Sequence, residues 1–577
     1  MIAKTVRTRR STIVVLCLYV LTAFGLFGHL VARHFTSWWL GSNADSVSFL
    51  WWLAWWPYAL GHGIHAVITK FVWAPTGENL MWTTSIPVLS VLFWPLTQVF
   101  GPVASFNTIT LLDMVLAPFG MYLILKRFFK NTFASVIGGY IYGYSSYELA
   151  QQTLGHINLT TIAPMAFMIL IGAQLFEEKV NNGPTLRRWM LGGALTLMLV
   201  FQFLISEEIY AALALFSGMF AFVTSIVQPA GWAVIKKVIP AFVAPWIASG
   251  ICLVPVLVEM RHKIPFHHPP SDPYYFGIDV LNFIIPTAIS LGGQHLISLT
   301  QNFSGDLAEW GGYMGLPMIV FLVASSVNNW FRDRWMKVCA INLGIVVLLS
   351  MGDVVRLDGI PLFPGAWRLF SWVPLIKDLL PSRFMLFGFI YASIIVAKGL
   401  SDLKLPPKHL KRLVLGMLII VPILPNALGV PSLWLTNPPV PAFFRKSSTY
   451  KKYIARNSVG LIFPYYINGN EMGAQIATKF YFRNASGYLG PVPLPWAKNW
   501  LVEEMAATGW PPAKSDATIV KRFAALLASQ EVQWVATTTF PPQSFVSIMR
   551  DVGYANEIHR GGIYLFRPLP ALKHEGI

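Results

Sequence analysis

Residues 104–130, ASFNTITLLDMVLAPFGMYLILKRFFK, decide the fold. Residues 104–125 are apolar almost throughout, and at about 1.5 Å per residue they reach across a hydrocarbon core of roughly 30 Å. Lys126, Arg127 and Lys130 close the stretch. Basic residues collect on the cytoplasmic side of a membrane, so this span runs inward.

The direction propagates both ways along the chain. Residues 12–34 follow Lys4, Arg7, Arg9 and Arg10, which keeps the N-terminus cytoplasmic. Their apolar core is long for a signal peptide and no convincing small-residue cleavage site follows, so they are expected to remain as a signal anchor. Residues 86–100 contain Pro87 and Pro95 and have no basic flank. They are short for a crossing, and a helix lying on the outer surface or re-entering it is expected.

Downstream, 132–150 go out and 157–175 return to Lys179, Arg187 and Arg188. Then 189–206 go out and 209–228 return to Lys236 and Lys237. Next, 238–258 go out and 313–328 return to Arg332, Arg334 and Lys337. Finally 338–351 go out, 384–399 return to Lys404, Lys408, Lys411 and Arg412, and 413–430 go out last. The expectation is a polytopic α-helical membrane protein of about eleven spans with residues 1–434 in the membrane part. Counting 86–100 as a full span would place Lys126-Arg127 and Lys236-Lys237 outside.

Composition agrees. The 577 residues are 55% hydrophobic and only 12% charged, against about 25% charged in soluble domains. The formal net charge of +17 sits largely in short clusters beside apolar segments. That is topology selection; nucleic acid would need a contiguous basic face. The excess favours anionic membrane lipid or a lipid phosphate. Cys17, Cys252 and Cys339 lie in or beside apolar spans, as small core residues, and no disulfide framework is expected.

After Leu435 the chain turns polar, with Pro438, Pro439 and Pro441 as a linker. Residues 435–577 are expected to form a small extracytoplasmic α/β domain. Strands are predicted at Val459–Phe463, Val532–Thr537 and Ile563–Phe566, and a helix at Ala517–Ser529 behind Asp516.

Polar groups gather at the outer ends of the spans. The first outer loop carries Asp45 among Trp38, Trp39, Trp51, Trp52, Trp55 and Trp56. An interfacial belt accounts for most of these tryptophans; stacking on a sugar ring is the functional alternative, for Trp51 and Trp52, with Tyr274 of a later loop. Asp45 is either a helix cap or a catalytic carboxylate. Glu148, His156 and Asn158 fall at the same face. Glu207-Glu208 are adjacent carboxylates beside hydrocarbon, where one stays protonated, binds a cation or pairs with a base, unless the turn is simply solvated. The long loop after residue 258 holds Arg261-His262, His267-His268, Asp272 and Asp279, and Glu309 follows. Its histidines match no zinc spacing. Arg383, in Pro381-Ser382-Arg383-Phe384, either grips a phosphate or snorkels to the interface.

Three local stretches carry a family resemblance: Asn43-Ala44-Asp45, Leu154-Gly155-His156-Ile157-Asn158 and Leu380-Pro381-Ser382-Arg383-Phe384. Ala485-Ser486-Gly487-Tyr488-Leu489-Gly490 adds a fourth in the outer domain. With the layout of spans, the chain resembles the polytopic glycosyltransferases of the C superfamily (GT-C), near the YfhO-like bacterial enzymes. Many members carry two acidic residues in the first outer loop; here Asp45 follows Ala44, and Glu207 or Glu208 is the first candidate for a partner carboxylate.

The resemblance implies an inverting transferase of the bacterial inner membrane. It takes a monosaccharide from a polyprenyl-phosphate donor to a lipid-linked, polymeric or protein acceptor of the cell envelope. Asp45 would take the acceptor proton, and Arg383, with Arg261 or His156, would offset the leaving phosphate. Asp279, Glu309, Glu207, Glu208 and Asn158 are further candidates for catalysis or substrate binding. No metal ligand is assigned, and a divalent cation is left open as a cofactor. The alternative is a transporter or flippase of a lipid-linked glycan, which should show polar groups at mid-membrane depth and related halves.

Overall fold

Seven helices among the described residues are long and apolar enough to cross a bilayer: Arg10–Val31, Pro102–Phe129, Ile157–Val180, Thr185–Ile205, Glu207–Val227, Gly231–Cys252 and Pro381–Asp402. The computed structural model describes residues 2–42, 45–229, 231–262, 265–267, 274–373, 376–403, 408–427, 429–437, 440–490, 492–494, 496–513 and 516–568. The chain is a multi-pass membrane protein. The seven helices coincide with seven of the eleven expected spans; the other four are shorter or interrupted. The expected span 132–150 is two helices, Thr132–Gly143 and Ser146–Leu154. Its break has a local cause. Ser145 accepts the backbone N–H of Glu148 (3.2 Å) on its hydroxyl and so starts a new helix.

Two compact units make up the chain. The first comprises Met1–Asn43, Val103–Val254 and Pro270–Thr436. The most enclosed of the seven long apolar helices is Pro381–Asp402, whose segment Met385–Asp402 packs on Thr132–Gly143 and Arg334–Ser350. Glycine sets the first of these contacts: a Cβ on Gly138 would lie 2.3 Å from Leu125 Cδ1 and 2.9 Å from the Ser393 carbonyl oxygen. Small residues let helix backbones approach closely in this way.

The second unit comprises Ala44–Pro102, Pro255–Pro269 and Asn437–Ile577. This differs from the division expected at residue 434, because the first loop folds with the C-terminal segment. The segment carries strands β1 (Val459–Phe463), β2 (Arg483–Asn484), β3 (Trp534–Thr537), β4 (Asn556–Arg560) and β5 (Ile563–Arg567), in spatial order β4-β5-β3-β1-β2. The β2, β1 and β3 strands are parallel, while β5 runs antiparallel to β3 and to β4. Gly561 and Gly562, both at positive φ (59° and 82°), close the β4–β5 hairpin. Every residue of β1 is buried, which is why it reads as an unbroken apolar run. The helix Ala517–Ser529 lies where predicted, capped by Asp516, whose carboxylate accepts the Ile519 N–H at 2.8 Å.

The first loop enters this unit as the helix Asp45–Gly61, buried on nearly every face. A helix apolar all round must be enclosed. Trp51 and Trp55 stack at 5.1 Å, and Phe480 stands edge-on to both at 5.4 Å. The Trp51 indole N–H donates to Gln475 Oε1 (2.8 Å), and Gln475 Nε2 donates to the Phe71 carbonyl (2.7 Å). Residues 86–100 form two short helices, Pro87–Leu92 and Trp94–Phe100, neither long enough to cross.

Candidate active site

Asp45 opens its helix with a half-buried side chain. The Tyr488 hydroxyl donates to Asp45 Oδ1, and Ser48 Oγ, one turn along the helix, donates to the Tyr488 carbonyl. The Tyr466 ring stands edge-on to Tyr488, with centroids 4.9 Å apart at 89°. Burial pushes the Tyr466 hydroxyl above its ordinary value, and the negative forms of Glu78, Glu471 and Asp45 add to the shift. Burial alone drives Glu78 well above the usual carboxylate range, and it raises Glu471 to about 8. Burial thus favours the protonated form of both carboxyl groups. Asp45 is the member of the trio that is not enclosed.

The first unit gathers a second polar cluster. Arg383, in the 3-10 turn Pro381–Phe384, pairs through Nη1 with Glu208 Oε2, and its Nη2 lies 3.9 Å from Glu309 Oε1. Glu208 Oε1 accepts the Leu380 N–H at 3.2 Å. Ser206 sets the height of both carboxylates by capping the helix Glu207–Val227: its hydroxyl accepts the Ile209 N–H at 3.3 Å. Burial pushes Glu309 well above the usual carboxylate range, while Arg383 draws it back down. Gln151 ties the neighbouring segment in. Its Nε2 donates to the Ala308 carbonyl (2.8 Å), and its Oε1 meets His156 Nδ1 at 2.8 Å. Sequence reasoning missed Gln151, Ser48 and Tyr488; only Tyr488 lay in a stretch already singled out.

Several expected roles need correction. Trp51 and Trp52 are buried (0% and 3% exposed) in packed interior, so neither presents a face to a sugar. Asp279 is a structural cap. Its Oδ1 accepts the N–H of Leu281 (2.9 Å) and Asp358 (3.2 Å), and its Oδ2 that of Gly359 (2.7 Å). The Tyr274 ring already carries the Arg356 guanidinium at 4.3 Å. Glu208 serves Arg383 within the first unit, so its carboxylate is engaged by a base. Glu207 is half-buried at the start of the same helix, and Asn158 is buried. Arg261 is exposed and belongs to the second unit, while Arg383 belongs to the first. His268, Pro269, Pro270 and Asp272 lie outside the described residues, as do Asn43, Ala44, Pro438 and Pro439. Among the described residues no three His, Cys, Asp or Glu side chains converge as a metal site.

No family model matches the sequence, and no curated protein matches it. Solved structures do. The Archaeoglobus fulgidus oligosaccharyltransferase in complex with Zn and sulfate aligns over 91% of this chain and 68% of its own, at 12% identity and a TM-score of 0.51. The oligosaccharyltransferase AglB of Archaeoglobus fulgidus, in complex with an inhibitory peptide and a dolichol-phosphate, aligns over 91% and 69%, at 13% identity and a TM-score of 0.48. At such identity the likeness is one of fold alone.

Proposed function

We propose that this chain is an inverting membrane glycosyltransferase. It moves a monosaccharide from a polyprenyl-phosphate donor to an envelope glycan, lipid or protein on the outer face of a bacterial inner membrane. The observation that carries the reading is the fold shared with an oligosaccharyltransferase over nearly the whole chain. The half-buried carboxylate at the head of the tryptophan helix adds to it.

In this reading the acceptor oxygen attacks the anomeric carbon, forming the new glycosidic bond. The bond from that carbon to the phosphate oxygen breaks, and polyprenyl phosphate leaves with the electron pair. The acceptor proton passes to Asp45, the general base. A single displacement inverts the anomeric centre. Arg383 is assigned to the donor phosphate, because a guanidinium offers paired donors to an anion. In the resting protein that fork is held by Glu208, so donor binding involves exchanging one anion for another.

The test uses purified full-length protein in lipid vesicles with a panel of polyprenyl-phosphate sugars and crude envelope acceptors. The reading predicts release of free polyprenyl phosphate with one of them and a product of opposite anomeric configuration. A retained configuration, or movement of intact donor across the bilayer with no new bond, would contradict it.

A further inference from the structure

We infer that Tyr488 is a positioning residue for Asp45: its hydroxyl holds the carboxylate of the first loop, which makes the C-terminal segment part of the catalytic apparatus. The inference rests on Asp45 being the proton acceptor.

The segment that bears Tyr488 is built into the first loop by backbone bonds. The Asn484 N–H donates to the Phe71 carbonyl (2.8 Å), the Ala74 N–H to the Asn484 carbonyl (2.8 Å), and the Trp73 N–H to the Ser486 carbonyl (3.2 Å). Residues 484–486 thus run as a bonded strip beside 71–74. Gly487 brings the strip close, since a Cβ there would lie 2.7 Å from Val72 Cβ. Tyr488 follows directly. Its carbonyl is gripped by Ser48 and its phenol reaches Asp45. Asp45 and Ser48 are three residues apart and so share one helix face. Two bonds to adjacent positions on that face fix both the place and the orientation of the tyrosine, and Tyr466 supports its ring from the side.

A phenol donating to a carboxylate stabilises the ionised form and orients it. Tyr466, whose ring meets Tyr488, feels the charges of Glu78, Glu471 and Asp45, so these are titratable groups on the elements packed here. The helix Asp45–Gly61 carries no further charged residue. Losing the phenol should therefore make Asp45 easier to protonate, an effect that a purely structural tyrosine would not have.

The experiment compares wild type and Tyr488→Phe, both full-length in lipid vesicles with carboxyl-13C aspartate. Infrared difference spectra against D45N isolate the Asp45 signal. The expected result is a titration midpoint raised by about one pH unit in Y488F, the scale of one hydrogen bond to a carboxylate. The acid limb of the transfer rate should move by the same amount. Incorporating 3-fluorotyrosine at 488, a stronger donor of the same shape, should lower the midpoint. Identical midpoints in wild type and Y488F would overturn the inference. If the midpoint moves while wild type transfers no sugar, the contact stands and the glycosyltransferase reading fails.

Discussion

At the scale of single residues, the account turns on what Arg383 is doing at rest. Arg383 and Glu208 are each about four-fifths buried (20% and 23% exposed) and bonded to one another. A guanidinium in that state binds an incoming phosphate in competition with its own carboxylate. Removing the guanidinium, in Arg383→Ala, should weaken donor binding about tenfold, which corresponds to the ~1.5 kcal/mol of a charge-assisted hydrogen bond. Removing the competitor, in Glu208→Gln, should instead strengthen it several-fold. Equilibrium binding of a polyprenyl phosphate to both variants in nanodiscs checks the pair of signs; equal affinities in all three proteins would remove Arg383 from the donor site. The sequence marked both residues as candidates. Their pairing was not legible, because 175 residues separate them and nothing local links a span junction to a later turn.

Among the elements, the helix Asp45–Gly61 shows most clearly where sequence reasoning stopped. Its tryptophans look interfacial when only the loop is considered. They are core because Gln475 and Phe480, more than four hundred residues later, supply the other wall. Three of the five strands in the C-terminal sheet and the capped helix Ala517–Ser529 were legible because each is specified by its own apolar run or cap; the strands Arg483–Asn484 and Asn556–Arg560, polar and short of any such run, were not. Glu471, at the head of the helix Glu471–Ala477, gives this element set a pH signature. Its pKa is raised to about 8 by burial, so the folded state binds a proton there that the unfolded state releases in mildly acidic solution. Stability should then fall as pH rises from the ordinary carboxylate range through about 8. Glu471→Gln should flatten that decline. Thermal unfolding midpoints of both proteins between pH 5 and 9 would show it, and parallel declines would contradict the assignment.

For the molecule as a whole, hydropathy and the positive-inside bias were enough to identify a multi-pass membrane protein. They gave more crossings than there are full-length helices, because short apolar stretches such as Leu316–Asn329 and the broken pair Thr132–Gly143 and Ser146–Leu154 look alike on a hydropathy scale. The proposed function requires Asp45 to face away from the cytoplasm. Ser42→Cys, in a chain with Cys17, Cys252 and Cys339 replaced, should react with a membrane-impermeant thiol reagent added to intact spheroplasts. Labelling only after lysis would place the loop on the wrong side for an envelope acceptor.

The central claim, that Asp45 takes the acceptor proton during sugar transfer, is tested most directly by single-turnover transfer from the matched polyprenyl-phosphate sugar in vesicles, comparing wild type with Asp45→Asn. The account predicts a fall of at least a hundredfold, the range of general-base contributions (~10²–10⁴), with donor affinity and unfolding midpoint unchanged. Turnover at the wild-type rate in the folded variant would contradict it.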